Sequence, residues 1–306
     1  MINKLKISHP LLERIESGET LISDGGIGTY LQSHGLEAGG DPEEFNITNP
    51  ETVKLMAKEY YDAGSDIVLT NTFGGTIFRQ KHYGLDHKVH DLNEQAALIA
   101  KSQTPEGKFV LGSVGPTGQF LEPYGDTSEK DMYEGFKQQI LALEAGGVDG
   151  IILETMTALE EASIAIKAAL ENTNLLIAAT MTFDKGPRGF FTMFGLEPEK
   201  SLDLLYETGA DVVGTNCGNG SEKMIEISEI FRKSTDKPLL VQANAGIPSI
   251  KKNSIIYPET PEDMAKNYKR LIDLKINFLG GCCGCSTNHI SSFSEIIRSH
   301  NERISG

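Results

Sequence analysis

Short runs of β-branched and other apolar residues alternate along this chain with longer stretches in which apolar positions return every three or four residues. The strand-like runs are LISDGG (21–26), DIVLTNTF (66–73), KFVLGSVG (108–115), GIILETM (150–156), LLIAATMTF (175–183), DVVGTNC (211–217), PLLVQANAG (238–246) and NFLGGCCG (277–284). Between them, stretches such as ETVKLMAKEYYDAG, EKDMYEGFKQQILALEAGG and PEDMAKNYKRLIDLK carry the apolar stripe of an amphipathic helix. Eight strands alternating with helices predict an α/β fold, a single (β/α)8 TIM barrel occupying residues 1–306 as one domain. Residues beyond a minimal barrel are expected in loops, chiefly 27–50, 115–130 and 184–199. A doubly wound open sheet is the competing architecture, but no G-x-G-x-x-G or Walker-type loop marks a nucleotide crevice.

An internal repeat supports the barrel. AGSDIVLTN, GGVDGIILE, TGADVVGTN and LKINFLGGC each join a helix end to a strand. Asp66, Asp149, Asp211 and Asn277 take equivalent places just before strands two, four, six and eight. Five residues after each stands Asn71, Glu154, Asn216 or Cys282, so polar or metal-binding groups recur at the strands' C-terminal ends. In such barrels that end carries the active site.

Composition narrows the partners. Lys and Arg number 28 against 43 Asp and Glu, a formal charge of −15 that argues against nucleic acid and anionic membrane surfaces. No apolar run has the length of a spanning helix, and the start MINKLKISHPLLERI lacks the features of a signal peptide. The expectation is a soluble, cytoplasmic protein.

The four cysteines are Cys217, Cys282, Cys283 and Cys285. Three cysteines within four positions cannot staple a large fold, which favours a metal or reactive-thiol role. Cys217 ends strand six, and Cys282 and Cys283 end strand eight, so three sulfurs can converge at the barrel rim. Three thiolates suit Zn²⁺ with a fourth position left open, the layout of a catalytic site. Two other readings stay open. Buried cysteines can close a barrel as small hydrophobes, although a plain core strand has little use for the glycines of GGCCG. A vicinal Cys282–Cys283 disulfide is the other, at the expense of geometric strain. Cys285 is expected to be a bystander.

DGGIGT (24–29), TNTFGG (70–75), GSVGPTG (112–118), LETM (153–156), TNCG (215–218), NAG (244–246) and GGCCG (280–284) resemble the homocysteine S-methyltransferase family across essentially the whole chain. PEEFNITNPETV and TNTFGG look closest to the homocysteine-binding module of cobalamin-dependent methionine synthase. The resemblance implies zinc held by Cys217, Cys282 and Cys283, with Asn244 able to fill the fourth position before substrate arrives. It implies that Asp24 and Glu154 bind the amino group of homocysteine, and that amides near Gly25 and Gly26 meet its carboxylate. Asn244 can equally be a turn residue, Asp24 a cap and Glu154 a rim ion-pair partner. The family commonly has Thr after GGCCG, where this chain has Cys285.

The implied reaction is methyl transfer to the thiol of homocysteine, giving methionine, with the thiol activated by zinc and no separate protein acid or base. His34, His82, His87, His90 and His289 are then surface or capping residues. The chain stops at Gly306 without a D-x-H-x-x-G cobalamin signature. A methylcobalamin donor is therefore expected on a separate corrinoid protein. S-methylmethionine or S-adenosylmethionine is the alternative donor. A zinc subunit that presents the thiol without turnover of its own is a further alternative. Zinc-dependent hydrolysis ranks low, because three thiolates make the ion a poor activator of water.

Overall fold

In the computed structural model, which describes residues 9–251 and 254–305, all eight expected runs form strands of one sheet. They are β1 (Leu21–Ile22), β2 (Ile67–Leu69), β3 (Phe109–Val114), β4 (Gly150–Met156), β5 (Leu176–Met181), β6 (Val212–Gly220), β7 (Leu239–Asn244) and β8 (Phe278–Gly281). Each pairs in parallel with its neighbours in the order β1-β8-β7-β6-β5-β4-β3-β2. A parallel bridge between Ser23 and Ile67 then joins β1 to β2 and closes the barrel. No helix among the described residues is long and apolar enough to cross a membrane. The first eight residues of the amino-terminal segment lie outside the described residues.

The inward rows of the strands explain where the site must be. Side chains alternate across a strand, so every second residue faces the barrel axis. Leu21, Leu69, Leu111, Ile152, Ala178, Val212, Leu240 and Phe278 share the inner cluster, and helix Pro10–Glu16 adds Leu11 and Ile15 to it. Two or four residues further along the same rows stand Ser113, Glu154, Thr180, Asn216, Gln242, Asn244 and Cys282. The rows thus begin apolar and end polar. A larger apolar layer between the strands and the helices, including Val110, Ile151, Ile177, Val213 and Val241, holds the helices on the outside.

The four repeated polar residues have a structural role at the opposite end. Asp66 Oδ2 accepts from the N–H of Ile22 (3.0 Å), Asp149 Oδ2 from Val110 (2.7 Å), Asp211 Oδ2 from Ile177 (2.9 Å) and Asn277 Oδ1 from Leu239 (2.9 Å). Each donates its own N–H back to the carbonyl of the same residue, at 2.7–3.0 Å. The repeat therefore clamps β1 to β2, β3 to β4, β5 to β6 and β7 to β8.

The loops differ from expectation in three places. Residues 27–50 contain helices Ile27–Ser33 and Phe45–Thr48, each too short for a stripe to show in the sequence. Residues 184–199 hold a hairpin, Asp184–Gly186 with Gly189–Phe191, whose first strand is exposed and carries no apolar alternation. A second hairpin, Ser249–Lys251 with Ser254–Ile256, follows β7. Residues 115–128 lack regular elements, as expected, and lead into helix Glu129–Ala145.

Candidate active site and metal centre

A cavity of about 360 Å³ opens among the C-terminal ends of the strands. Cys217, Cys282 and Cys283 line it, and their sulfurs all lie within 4.8 Å of one another. Two backbone features bring them together. Cys217 sits at φ +56° followed by Gly218 at +70°, where β6 shifts register, so the strand turns its thiol toward β8. After β8 the chain turns through Gly284 at φ +82°, where a Cβ would lie 2.2 Å from the ring of Tyr257. That loop is laced to β7, with Cys282 N–H donating to Ala243 O (2.8 Å) and Ala245 N–H to Cys283 O (3.0 Å).

The thiols share their protons unequally. Hydrogen bonds from Cys282 and Cys283 hold Cys217 as the thiolate, pushed down to about 3. Their hydrogen bonds to Cys217, followed by burial and its negative charge, raise Cys282 and push Cys283 up to about 11. The donor set fits a soft, tetrahedral cation, since Zn–S bonds of ~2.3 Å set sulfurs ~3.8 Å apart and require all three thiols deprotonated. The side chain of Asn244 hydrogen-bonds Cys217, and its buried Oδ1 has no partner, which leaves a further oxygen beside the cluster. Cys285 is buried apart from the trio. Its thiol faces Ala243 O at 3.3 Å and Met264 Sδ at 3.7 Å, and burial raises it well above the usual range.

The expected substrate residues fall on two levels. Glu154 reaches the cavity, with Ser113 Oγ donating to Oε1 and Asn216 Nδ2 to Oε2 at 3.3 Å. Burial, opposed by Ser113 and aided by the Cys217 charge, pushes its carboxyl up to about 7. Asp24 is fully buried beneath the lining. Its Oδ2 accepts from Leu69 N–H (2.7 Å), and desolvation with the nearby Glu154 charge raises it well above the carboxylate range. Gly25 and Gly26 both line the cavity. The Gly26 N–H donates to Cys285 O at 2.9 Å. Both positions need glycine for contact: a Cβ on Gly25 would lie 2.4 Å from Cys285 O, and one on Gly26 2.7 Å from Cys282 O.

Sequence reasoning did not assign roles to several other lining groups. Gln242 stands two residues before Asn244 on the same inward row, and its Nε2 donates to Ser23 Oγ at 3.1 Å. Glu43 also lines the cavity and accepts Gly74 N–H at 2.6 Å, with burial and the adjacent Asp41 raising its carboxyl. Arg79 and Tyr83 complete the wall near the mouth. Row position was the available signal for Gln242, whereas Glu43 comes from a loop with no period. Of the histidines, His289 is buried as a cap, accepting from Ser286 N–H at 3.1 Å.

The family model for homocysteine S-methyltransferase matches residues 21–297. The chain belongs to that family. Among its relatives, the methionine synthase of Mycobacterium leprae is 28% identical over 98% of this chain, which spans only 26% of that protein. The betaine–homocysteine S-methyltransferase 1 of Rattus norvegicus is 29% identical over 95% of this chain and 75% of its own length. The fold matches the metallated form of the homocysteine methyltransferase MmuM from Escherichia coli, with a TM-score of 0.79 over 94% of this chain and 100% of that one, at 19% identity. Family membership and barrel agree with the motifs that pointed to them.

Proposed function

We propose that this chain transfers a methyl group to the thiol of homocysteine, forming methionine, with Zn²⁺ held by Cys217, Cys282 and Cys283 and by Asn244 before substrate binds. The observation that carries this reading is the convergence of three sulfurs on one wall of a cavity that also exposes Glu154. When bound, zinc lowers the pKa of an added thiol and keeps it nucleophilic at neutral pH. The protein's own residues do the rest. Glu154, held by Ser113 and Asn216, takes the substrate ammonium, and Asp24 adds acidic character one layer below. Gly25 supplies an amide edge for the substrate carboxylate, while Gly26 keeps the cysteine loop close. Leu69 and Ile27 on the lining limit water around the sulfur.

For the donor, we propose methylcobalamin presented by a separate corrinoid protein. A small sulfonium or quaternary ammonium is commonly held by aromatic faces. The chain has no Trp, and the aromatic lining here is Phe73 and Tyr83, both exposed at the mouth beside the cation of Arg79. The loops after β3, β5 and β7 carry exposed Phe120, Tyr124, Met193, Phe194, Ile247 and Ile250, large apolar side chains suited to a protein partner. Phe120 and Phe194 meet edge to face at 6.1 Å, tying two of those loops together.

The test supplies zinc-loaded protein with homocysteine and measures methionine from free methylcobalamin, from a methylated corrinoid protein and from S-methylmethionine. Product that depends on the corrinoid protein or on methylcobalamin supports the proposal. Product from the sulfonium alone overturns the donor assignment, and no product from any donor makes the chain a thiol-presenting subunit.

A further inference from the structure

We infer that Asn216 is a positioning residue that sets the geometry of the substrate-amine wall and couples it to the metal-ligand strand. Its side chain is fully buried and uses its whole hydrogen-bonding capacity, three of four bonds going to the Glu154–Thr155 segment and one to Thr180. Oδ1 accepts from Thr155 N–H (2.8 Å) and from Thr180 Oγ1 (2.7 Å). Nδ2 donates to Thr155 Oγ1 (2.8 Å) and to Glu154 Oε2 (3.3 Å).

That segment is strained. Thr155 sits at φ +60°, a conformation that a β-branched residue adopts only when its surroundings impose it. Here β4 shifts register between Leu153 and Met156, and the shift turns Glu154 and Thr155 to the cavity. Asn216 holds the turned segment by its backbone N–H and its hydroxyl together. The next residue, Cys217, is itself at φ +56°, and Thr182 Oγ1 fixes the Asn216 carbonyl at 2.8 Å. One side chain thus grips the amine wall while its own backbone carries the first sulfur.

Asparagine is the residue this arrangement requires. Aspartate has nearly the same shape and keeps both accepted bonds, but it offers no donor and sets a second carboxylate against Glu154. Its effect should therefore fall on recognition of the amino group. This inference rests on the proposed role of Glu154 in homocysteine binding.

The experiment compares wild type and Asn216→Asp, both zinc-loaded, by calorimetric titration with homocysteine and with 4-mercaptobutyrate, which has the thiol and carboxylate but no amine. The variant should keep its zinc stoichiometry, bind homocysteine about tenfold more weakly, and bind 4-mercaptobutyrate as wild type does. Equal weakening of both ligands, or weakening of neither, would overturn the inference. Failure of the wild type to bind homocysteine would overturn the functional reading instead.

A second pair guards against misfolding of that variant. Asn216→Ala should weaken homocysteine binding, and adding Thr155→Gly should restore part of it, because glycine takes positive φ unaided. If Asn216 only fills the core, the added glycine will give no recovery, and the positioning role fails.

Discussion

Cys217 combines a positive φ with hydrogen bonds from Cys282 and Cys283 that lower its thiol pKa. Cys283→Ala should remove both the stoichiometric zinc and methyl transfer, checked by metal analysis of the purified variant. Full zinc retention there would exclude the proposed ligand set. Glu154 gives a pH-dependent test. Its carboxyl titrates near 7 in the folded protein against an ordinary 4.5, so between those values the native state keeps a proton that the unfolded chain has lost. Metal-free protein must then lose stability as pH rises through that window. Glu154→Gln has no such proton, so the metal-free variant should match its parent near pH 4.5 and exceed it near pH 8 by up to about 3 kcal/mol in denaturant unfolding. At this scale the sequence was informative where chemistry is rare: three clustered thiols, or a Glu at a strand end. Ser113 and Gln242 carried only their place on the inward rows as a signal, because a polar residue inside a strand looks the same whether it serves a ligand or a neighbour.

The elements were legible to the extent that their apolar positions repeat. β4 runs over Gly150–Met156, as its apolar run predicted, whereas β1 was expected to reach residue 26 and ends its ladder at Ile22. The difference is physical: Asp24 O still accepts from Gly281 N–H of β8, while Gly25 and Gly26 leave the ladder to pack against the loop that follows. The hairpins and the one- or two-turn helices escaped because so few residues cannot display a period. The repeated Asp and Asn residues were visible as a pattern, and only the structure shows that they clamp strands in pairs. Asn277→Ala leaves the N–H of Leu239 without its acceptor. It should cost about 1–2 kcal/mol in denaturant unfolding and leave zinc content unchanged. Loss of metal in that variant would mean that the clamp also shapes the opposite face.

At the scale of the molecule, the exposed apolar side chains of the loops after β3, β5 and β7 lie at the same end of the barrel as the cavity. If a corrinoid protein docks there, Phe194→Ser should lower the rate at limiting carrier by about tenfold and leave the rate with free methylcobalamin unchanged. Equal losses in both assays would place Phe194 in the chemistry rather than in docking. Sequence could give the barrel's order and its active end, but not this surface, because exposed apolar residues in loops become a patch only when the loops meet.

The meeting of residues 24–26 with 282–285 carries a consequence for how the centre comes into being. On the ribosome Cys217 emerges 65 residues before Cys282, and the segment that packs against the cysteine loop is made before either. No partial chain short of β8 contains more than one of the three sulfurs. If the three sulfurs capture a metal together, they can do so only once the eighth strand has docked beside the first. Acquisition of the ion can then serve as a record that the ring has been completed.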